Sequence, residues 1–230
     1  MKKSTLYCLF IILLAFVNQQ TKAQSKEEQG RKVQRFSKTQ FGIRSGLNLS
    51  FPTGNLIERL KSRVHYHLGA YAQIPSPSKQ FLYEIGGYLS NEGFETALIY
   101  GDDLMEDLEV NSSGNQAPTN LKAQYLDIQY IVKDNQNNKY SAFAGLETTF
   151  LLNSEVFQEY KEDGEVKSTR VQNPKGLQTF GMGAIIGLEY HVNHFLHVNL
   201  NYTYPFTRMF KNSSTDVKNN SVKLGVGFTF

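Results

Sequence analysis

From Phe41 onward, hydrophobic and polar side chains alternate with a period of two, and the alternation recurs in segment after segment. In the first segment Phe41, Ile43, Leu47, Leu49 and Phe51 share one parity, and Gly42, Arg44, Gly46, Asn48 and Ser50 share the other. Successive side chains of a strand point to opposite faces, so this pattern predicts a strand with one apolar face. A second segment sets Val64, Tyr66, Leu68, Ala70, Ala72 and Ile74 against His65, His67, Gly69, Tyr71 and Gln73. A third opposes Phe81, Tyr83, Ile85 and Leu89 to Glu84, Gly86 and Ser90, and a fourth opposes Leu126, Ile128, Tyr130 and Val132 to Tyr125, Asp127, Gln129 and Lys133. The fifth places Tyr140, Ala142, Ala144, Leu146, Phe150 and Leu152 opposite Ser141, Gly145, Glu147 and Asn153, with Phe143 and Leu151 breaking parity. The last three run from Phe180 to Tyr190, Leu196 to Phe206 and Val222 to Phe230. The expected fold is therefore all-β, with about eight strands, an even number and the smallest that closes a membrane barrel.

The connections alternate in length, independently of the hydrophobic pattern. Pro75 to Ser78, Asp134 to Asn138 and Val192 to His194 read as short turns, whereas the segments after strands one, three, five and seven are longer and polar. Membrane barrels combine short periplasmic turns with longer external loops, which would put both chain ends on the periplasmic side. A soluble antiparallel barrel or sandwich also alternates, but with its apolar face inward. Glycine separates the two readings: Gly42, Gly46, Gly69, Gly86, Gly145, Gly181, Gly183, Gly187, Gly225 and Gly227 lie on the polar parity, and only Gly87 lies clearly on the other. Small residues suit the crowded interior of a narrow barrel, while on a water-exposed strand face they would only weaken the sheet. Aromatics crown the apolar parity near strand ends (Phe41, Phe81, Tyr140, Phe150, Phe180 and Tyr190 among them), as interfacial girdles do. A closed antiparallel transmembrane β-barrel follows.

The mean hydropathy of −0.40 does not oppose this reading, because only alternate residues of such strands face lipid. Residues 1–23 read as a cleavable signal peptide: Lys2 and Lys3, an apolar stretch from Leu6 to Val17, and small residues around Ala23. The apolar stretch is too short to span a bilayer as a helix. Cys8, the one cysteine, lies within it, so the mature chain has no thiol for a disulfide or a thiolate metal site. The chain carries 24 Lys+Arg and 21 Asp+Glu; losing Lys2, Lys3 and Lys22 leaves 21 of each. The nominal pI of about 8.8 thus belongs to the discarded peptide, and no nucleic-acid partner is expected. Residues 24–40 read as a flexible periplasmic lead-in, and 41–230 as the barrel domain.

The last strand reads Lys223-Leu224-Gly225-Val226-Gly227-Phe228-Thr229-Phe230. Lys223, Gly225, Phe228 and Phe230 together form a candidate signal for the outer-membrane barrel assembly machinery. With the opening Phe41-Gly42-Ile43-Arg44-Ser45-Gly46-Leu47-Asn48-Leu49-Ser50, the Tyr125-Leu126-Asp127-Ile128-Gln129-Tyr130 strand and Gly181-Met182-Gly183, this makes Phe41 to Phe230 resemble the PorT-like outer-membrane barrel family of Bacteroidota. The resemblance implies location and fold. It also implies that secretion-machinery proteins are among the partners, and it carries over no catalytic residue.

The polar parity holds Arg44, Lys133 and Lys223 together with Glu84, Asp127, Glu147 and Glu189. Buried charges are tolerated when paired, so these seven are expected to form an ion-pair network filling the lumen. His65 and His67 share a face, but two imidazoles are fewer than a closed zinc site needs. His191, His194 and His197 cluster at a turn and are expected to be solvated. Asp102, Asp103, Glu106, Asp107 and Glu109 form an acidic loop without the order of an EF-hand. No Gly-x-Ser-x-Gly nucleophile motif occurs, and no cofactor or metal is expected. The expectation is a plugged barrel in contact with outer-membrane lipid, its lumen blocked by Arg44, Tyr71, Tyr88, Glu147 and Glu189, acting as a structural or secretion-associated component. The alternatives are a narrow ligand or ion conduit, and a lipid-modifying enzyme.

Overall fold

A computed structural model describes residues 38–54, 60–77, 80–96, 119–135, 139–162, 165–174, 176–211 and 217–230. The expected signal peptide, nearly all of the lead-in and the acidic positions from Asp102 to Glu109 lie outside the described residues. The strands are β1 (Gln40–Thr53), β2 (Leu60–Pro75), β3 (Phe81–Thr96), β4 (Thr119–Asp134), β5 (Tyr140–Glu162), β6 (Glu165–Gln172), β7 (Phe180–His191), β8 (Leu196–Pro205) and β9 (Lys218–Thr229). All pairings are antiparallel, each of β1 to β5 with the next, then β5 with β7, β7 with β8, β8 with β9, and β9 with β1. Gly42 faces Thr229 and Thr53 faces Lys218 at the two ends of the closing pair. Eight strands thus form a ring with no free edge, which satisfies every ladder without water.

Side-chain parity matches this ring. Ile43, Leu47, Leu68, Ile85, Leu146, Leu188, Leu200 and Leu224 are exposed on its outer surface, while Arg44, Asn48, Glu84, Asp127, Glu147, Glu189, Asn199 and Lys223 are buried inside. At a water-facing surface that arrangement would be inverted; next to lipid it buries the polar set and solvates the apolar one. Tyr140 and Tyr190 lie 5.1 Å apart at one end of the β5–β7 pair, and Phe150 and Phe180 lie 5.4 Å apart at the other, one contact for each interfacial girdle. Short turns link β2–β3, β4–β5 and β7–β8 at one rim. In the last of these the Asn193 Oδ1 accepts the Phe195 and Leu196 N–H groups, so the side chain builds the turn.

The opposite rim departs from the expected strand limits. β3 continues to Thr96 and β4 begins at Thr119, so the long polar segment expected after strand three contributes strand at both ends. β5 is 23 residues long, far beyond the roughly 9–11 that cross a bilayer. Its outer half pairs with β6, a strand absent from the sequence reading, from Glu155↔Gln172 to Glu162↔Glu165. On this rim the parity rule reverses: on β4, Lys122 and Gln124 face out while Leu121 and Ala123 are buried. Phe94, Leu121, Val156, Leu177 and Met209 form an apolar cluster there, with Leu151, Val171 and Phe210 packed on it. Leu177 and Met209 come from the β6–β7 and β8–β9 connections, held together by the Leu177↔Phe210 bridge and a Gln178 N–H to Met209 carbonyl bond of 2.8 Å.

The parity break at Leu151 has a local cause. Gln124 pairs with Asn153 but Tyr125 pairs with Leu151, leaving Leu152 as an extra residue. Such a bulge shifts the alternation by one, so Ser154 and Val156 point inward and Asn153, read as inward, is exposed. Phe143 breaks parity for a different reason: it points into the lumen, where it packs with Ile131 and Ile185. Asn173 ends β6 with φ 51°, a left-handed conformation that Asn adopts more readily than most residues. Its N–H donates to the Ser154 carbonyl and its Oδ1 accepts the Ser154 N–H, turning the chain back toward the barrel.

Candidate functional site

The lumen is filled from its walls, and glycine decides where the bulky groups go. Arg44 faces Gly69 on β2 and Gly227 on β9, so both cross-strand neighbours leave space beside its side chain. A Cβ on Gly227 would run into the His197 ring, and one on Gly69 into Tyr88. Into that space Arg44 extends a fork: Nη1 donates to Glu84 Oε1 at 2.9 Å and to the Tyr88 hydroxyl at 2.7 Å, and Nη2 donates to Glu84 Oε2 and Glu189 Oε2 at 3.2 Å. Its guanidinium also lies 4.7 Å from the Tyr71 ring centroid, within cation–π range.

Lys133 closes the same group, its Nζ lying 2.6 Å from Glu84 Oε2 and 2.7 Å from Glu189 Oε2. Two cations and two carboxylates thus alternate in one layer, and Gln73 Nε2 adds a bond of 3.0 Å to Glu84. A second layer lies nearer the long-loop rim. There Lys223 Nζ donates to Asp127 Oδ2 at 2.8 Å and to Glu147 Oε2 at 2.9 Å, and Gln129 Nε2 donates to the same Glu147 oxygen at 2.6 Å. The structure therefore places all seven charged residues singled out in the sequence inside the barrel, in two separate groups. Four strands hold the first group (β1, β3, β4, β7) and three the second (β4, β5, β9), so each layer ties distant parts of the ring together.

Histidine positions differ from the sequence reading. His197 is 2% exposed and lies in the lumen, its Nε2 3.6 Å from Glu189 and its ring edge-on to Tyr71 at 5.8 Å. The reason is parity: His197 shares the inward face of β8 with Asn199 and Asn201, and the turn ends before it. His191 is partly buried, 3.0 Å from Ser141 Oγ, and His194 is exposed. His67 sits inside with its Nδ1 2.5 Å from Asn48 Oδ1, and Asn48 Nδ2 donates to Ser90 Oγ. His65 is partly buried and lies within the register irregularity between Ser62 and His67. Among the described residues no group of three or more His, Cys, Asp or Glu side chains is arranged to hold a metal ion.

Ser141, His191 and Glu189 lie together at the short-turn rim, yet they do not form a catalytic relay. Both the serine and the carboxylate approach His191 through the same Nε2, so neither orients the other ring nitrogen as a triad requires. Of the candidate assembly residues, Lys223 and Gly225 face inward, whereas Phe228 and Phe230 are 47% and 79% exposed on the outer surface.

A closed eight-stranded ring with a lipid-facing apolar exterior, two aromatic girdles and a charge-paired interior defines an outer-membrane β-barrel. The chain belongs to the outer membrane protein β-barrel domain family, whose model matches residues 20–211. Such barrels reside in the outer membrane of Gram-negative bacteria. No curated protein matches the chain. Among solved structures, Neisserial surface protein A is similar at 11% identity and a TM-score of 0.47, covering 83% of this chain and 97% of that one. Ail, the attachment invasion locus protein of Yersinia pestis, in complex with the heparin analogue sucrose octasulfate, is similar at 12% identity and a TM-score of 0.46, covering 84% and 99%. The N-terminal β-barrel domain of Pseudomonas aeruginosa OprF is similar at 11% identity and a TM-score of 0.30, covering 84% and 100%.

Proposed function

We propose that this protein is a closed, non-conducting barrel that works through its rims as a structural or secretion-associated component of the outer membrane. The reading is carried by one observation: two layers of mutually paired charges cross the lumen, and the apolar cluster of Phe94, Leu121, Val156, Leu177 and Met209 lies beyond them at the long-loop rim. Eight strands enclose an interior that side chains can fill, whereas open aqueous channels come with roughly 16–18 strands. The short turns and both chain ends are assigned to the periplasm and the tall β5–β6 hairpin to the outside, since barrels of this class carry their longer loops outward. Within the family, the opening strand and the Tyr125-Leu126-Asp127-Ile128-Gln129-Tyr130 strand favour the PorT-like subgroup, and with it secretion-machinery proteins as partners. The barrel assembly machinery is the partner expected during insertion.

Purified protein in a planar bilayer tests the closed lumen. Current at the leakage level is expected, and steady unitary conductance would overturn the reading in favour of a narrow conduit. A pull-down from intact envelopes tests the partner, with secretion-machinery subunits the expected recovery.

A further inference from the structure

Between the Lys223 layer and the apolar lid the lumen widens into a cavity of about 70 Å³. A single water needs only about 10–15 Å³ on this measure, so the space takes a small organic group. Glu92, Tyr125, Glu147, Thr203 and Asn219 line it, and it reaches the rim beside the exposed Arg208.

The arrangement of charge changes at this level. In the Arg44 layer two cations meet two carboxylates, whereas beside the cavity Lys223 is shared by Asp127 and Glu147, and Glu92 and Glu147 both line the cavity. Lys223 reaches Asp127 and Glu147, while Glu92 accepts a hydrogen bond of 2.7 Å from Asn219 Nδ2. The neighbouring polar atoms with no hydrogen-bond partner among the described residues are oxygens. Thr203 Oγ1 lines the cavity on a side chain 6% exposed, Asn219 Oδ1 lines it too, and Asp127 Oδ1 lies buried beside the Lys223 layer. Unpartnered oxygens beside the carboxyl groups of Glu92 and Glu147 suit an N–H donor that carries positive charge. Tyr125 and Met209 supply apolar wall for a hydrocarbon stem. The described residues offer no cluster arranged for a metal ion, which favours a nitrogen cation over an inorganic one.

We propose that this cavity binds a primary alkylammonium, of the linear diamine or polyamine class, with its N–H groups on Glu92, Thr203 Oγ1 and Asn219 Oδ1. The site needs the cavity alone, so it stands or falls separately from the closed lumen.

The test is calorimetric titration of the full barrel in detergent micelles with 1,5-diaminopentane, alongside tetramethylammonium, which has charge but no N–H, and 1-pentanol, which has no charge. Saturable binding of the diamine below about 10 mM is expected, with the two controls at least about tenfold weaker, the effect of losing a charge-assisted hydrogen bond. Glu92→Gln and Thr203→Val, each checked for heat-modifiable mobility as a sign of folding, remove one contact apiece. A loss of about tenfold or more in either folded variant supports the site, provided Glu155→Gln, on the exposed β5–β6 hairpin, binds as the parent does. Absence of saturable binding by the parent, equal binding of tetramethylammonium or pentanol, or parent-like affinity in both cavity variants would overturn it.

Discussion

Replacing Arg44 by Met tests whether the lumen is held by charge compensation or only by volume. Met keeps much of the side-chain bulk but removes the four donor contacts to Glu84, Glu189 and Tyr88. Two carboxylates, both essentially unexposed, are then left with Lys133 as their remaining cation. Breaking a buried ion pair by deleting one partner costs about 3–5 kcal/mol, because the other charge stays buried. Each kcal/mol shifts the midpoint of a 150–250-residue domain by about 2–4 °C, so a fall on the order of 10 °C is expected. The measurement is the temperature at which the compact band on unheated gels converts to the unfolded band, in one detergent throughout. Arg44→Met/Glu84→Gln supplies the control, since it leaves Lys133 balanced against Glu189 and should recover about half of the loss or more. A midpoint for the single variant within about 2 °C of the parent would refute the compensation argument, and a double variant less stable than the single would show that packing dominates.

Glycine at position 227 should be far less replaceable than glycine at 87: a Cβ at Gly227 meets the His197 ring, and one at Gly87 meets nothing within 4 Å. Gly227→Ala is expected to lower the thermal midpoint through about 1–3 kcal/mol of overpacking, and Gly87→Ala to hold or raise it. Leu177→Ala, 1% exposed in the lid, should cost about 2–5 kcal/mol in that cluster. Its readout is faster tryptic cleavage at Lys167 or Arg170 with the heat-modifiable barrel retained, and an unchanged cleavage rate would show that the lid does not hold β6. Deleting Leu152 should be tolerated, because it removes the bulge while keeping Leu151 and Ser154 on their present partners Tyr125 and Ala123. Deleting Thr148, in the regular part of the same strand, slips the register by one, inverts every side chain beyond it, and should abolish the compact band.

The sequence made the membrane-embedded part of this fold legible because lipid outside and packed charge inside impose opposite demands on adjacent residues. Ile43 and Arg44, or Leu146 and Glu147, declare their faces by type alone. Which charges meet was not legible: Arg44 pairs with Glu84 and Glu189, 40 and 145 residues away, and that choice depends on how far each chain reaches across the ring. A Gly opposite an Arg was a visible clue to such reach, since it marks where a neighbour's side chain needs room. His197 shares the inward parity of Asn199, and on a strand that alternation governs which face a side chain takes, whereas nearness to a turn does not.

At the long-loop rim the same pattern carries the opposite meaning. Alternation itself continues through Phe94, Leu121 and Val156, but beyond Ser90 and Gln124 the outer surroundings change from lipid to water, and the apolar side becomes the inward one. Period two encodes a strand without encoding its solvent. A bulge at Leu152 adds a shift of one at nearly the same height, so on β5 a reader meets two changes that partly cancel. The polar outer residues of β4, Lys122 and Gln124, mark the boundary where the meaning of the pattern turns over. Any membrane barrel whose strands outgrow the bilayer faces the same constraint: its loop-end core must be read with the inside and outside exchanged.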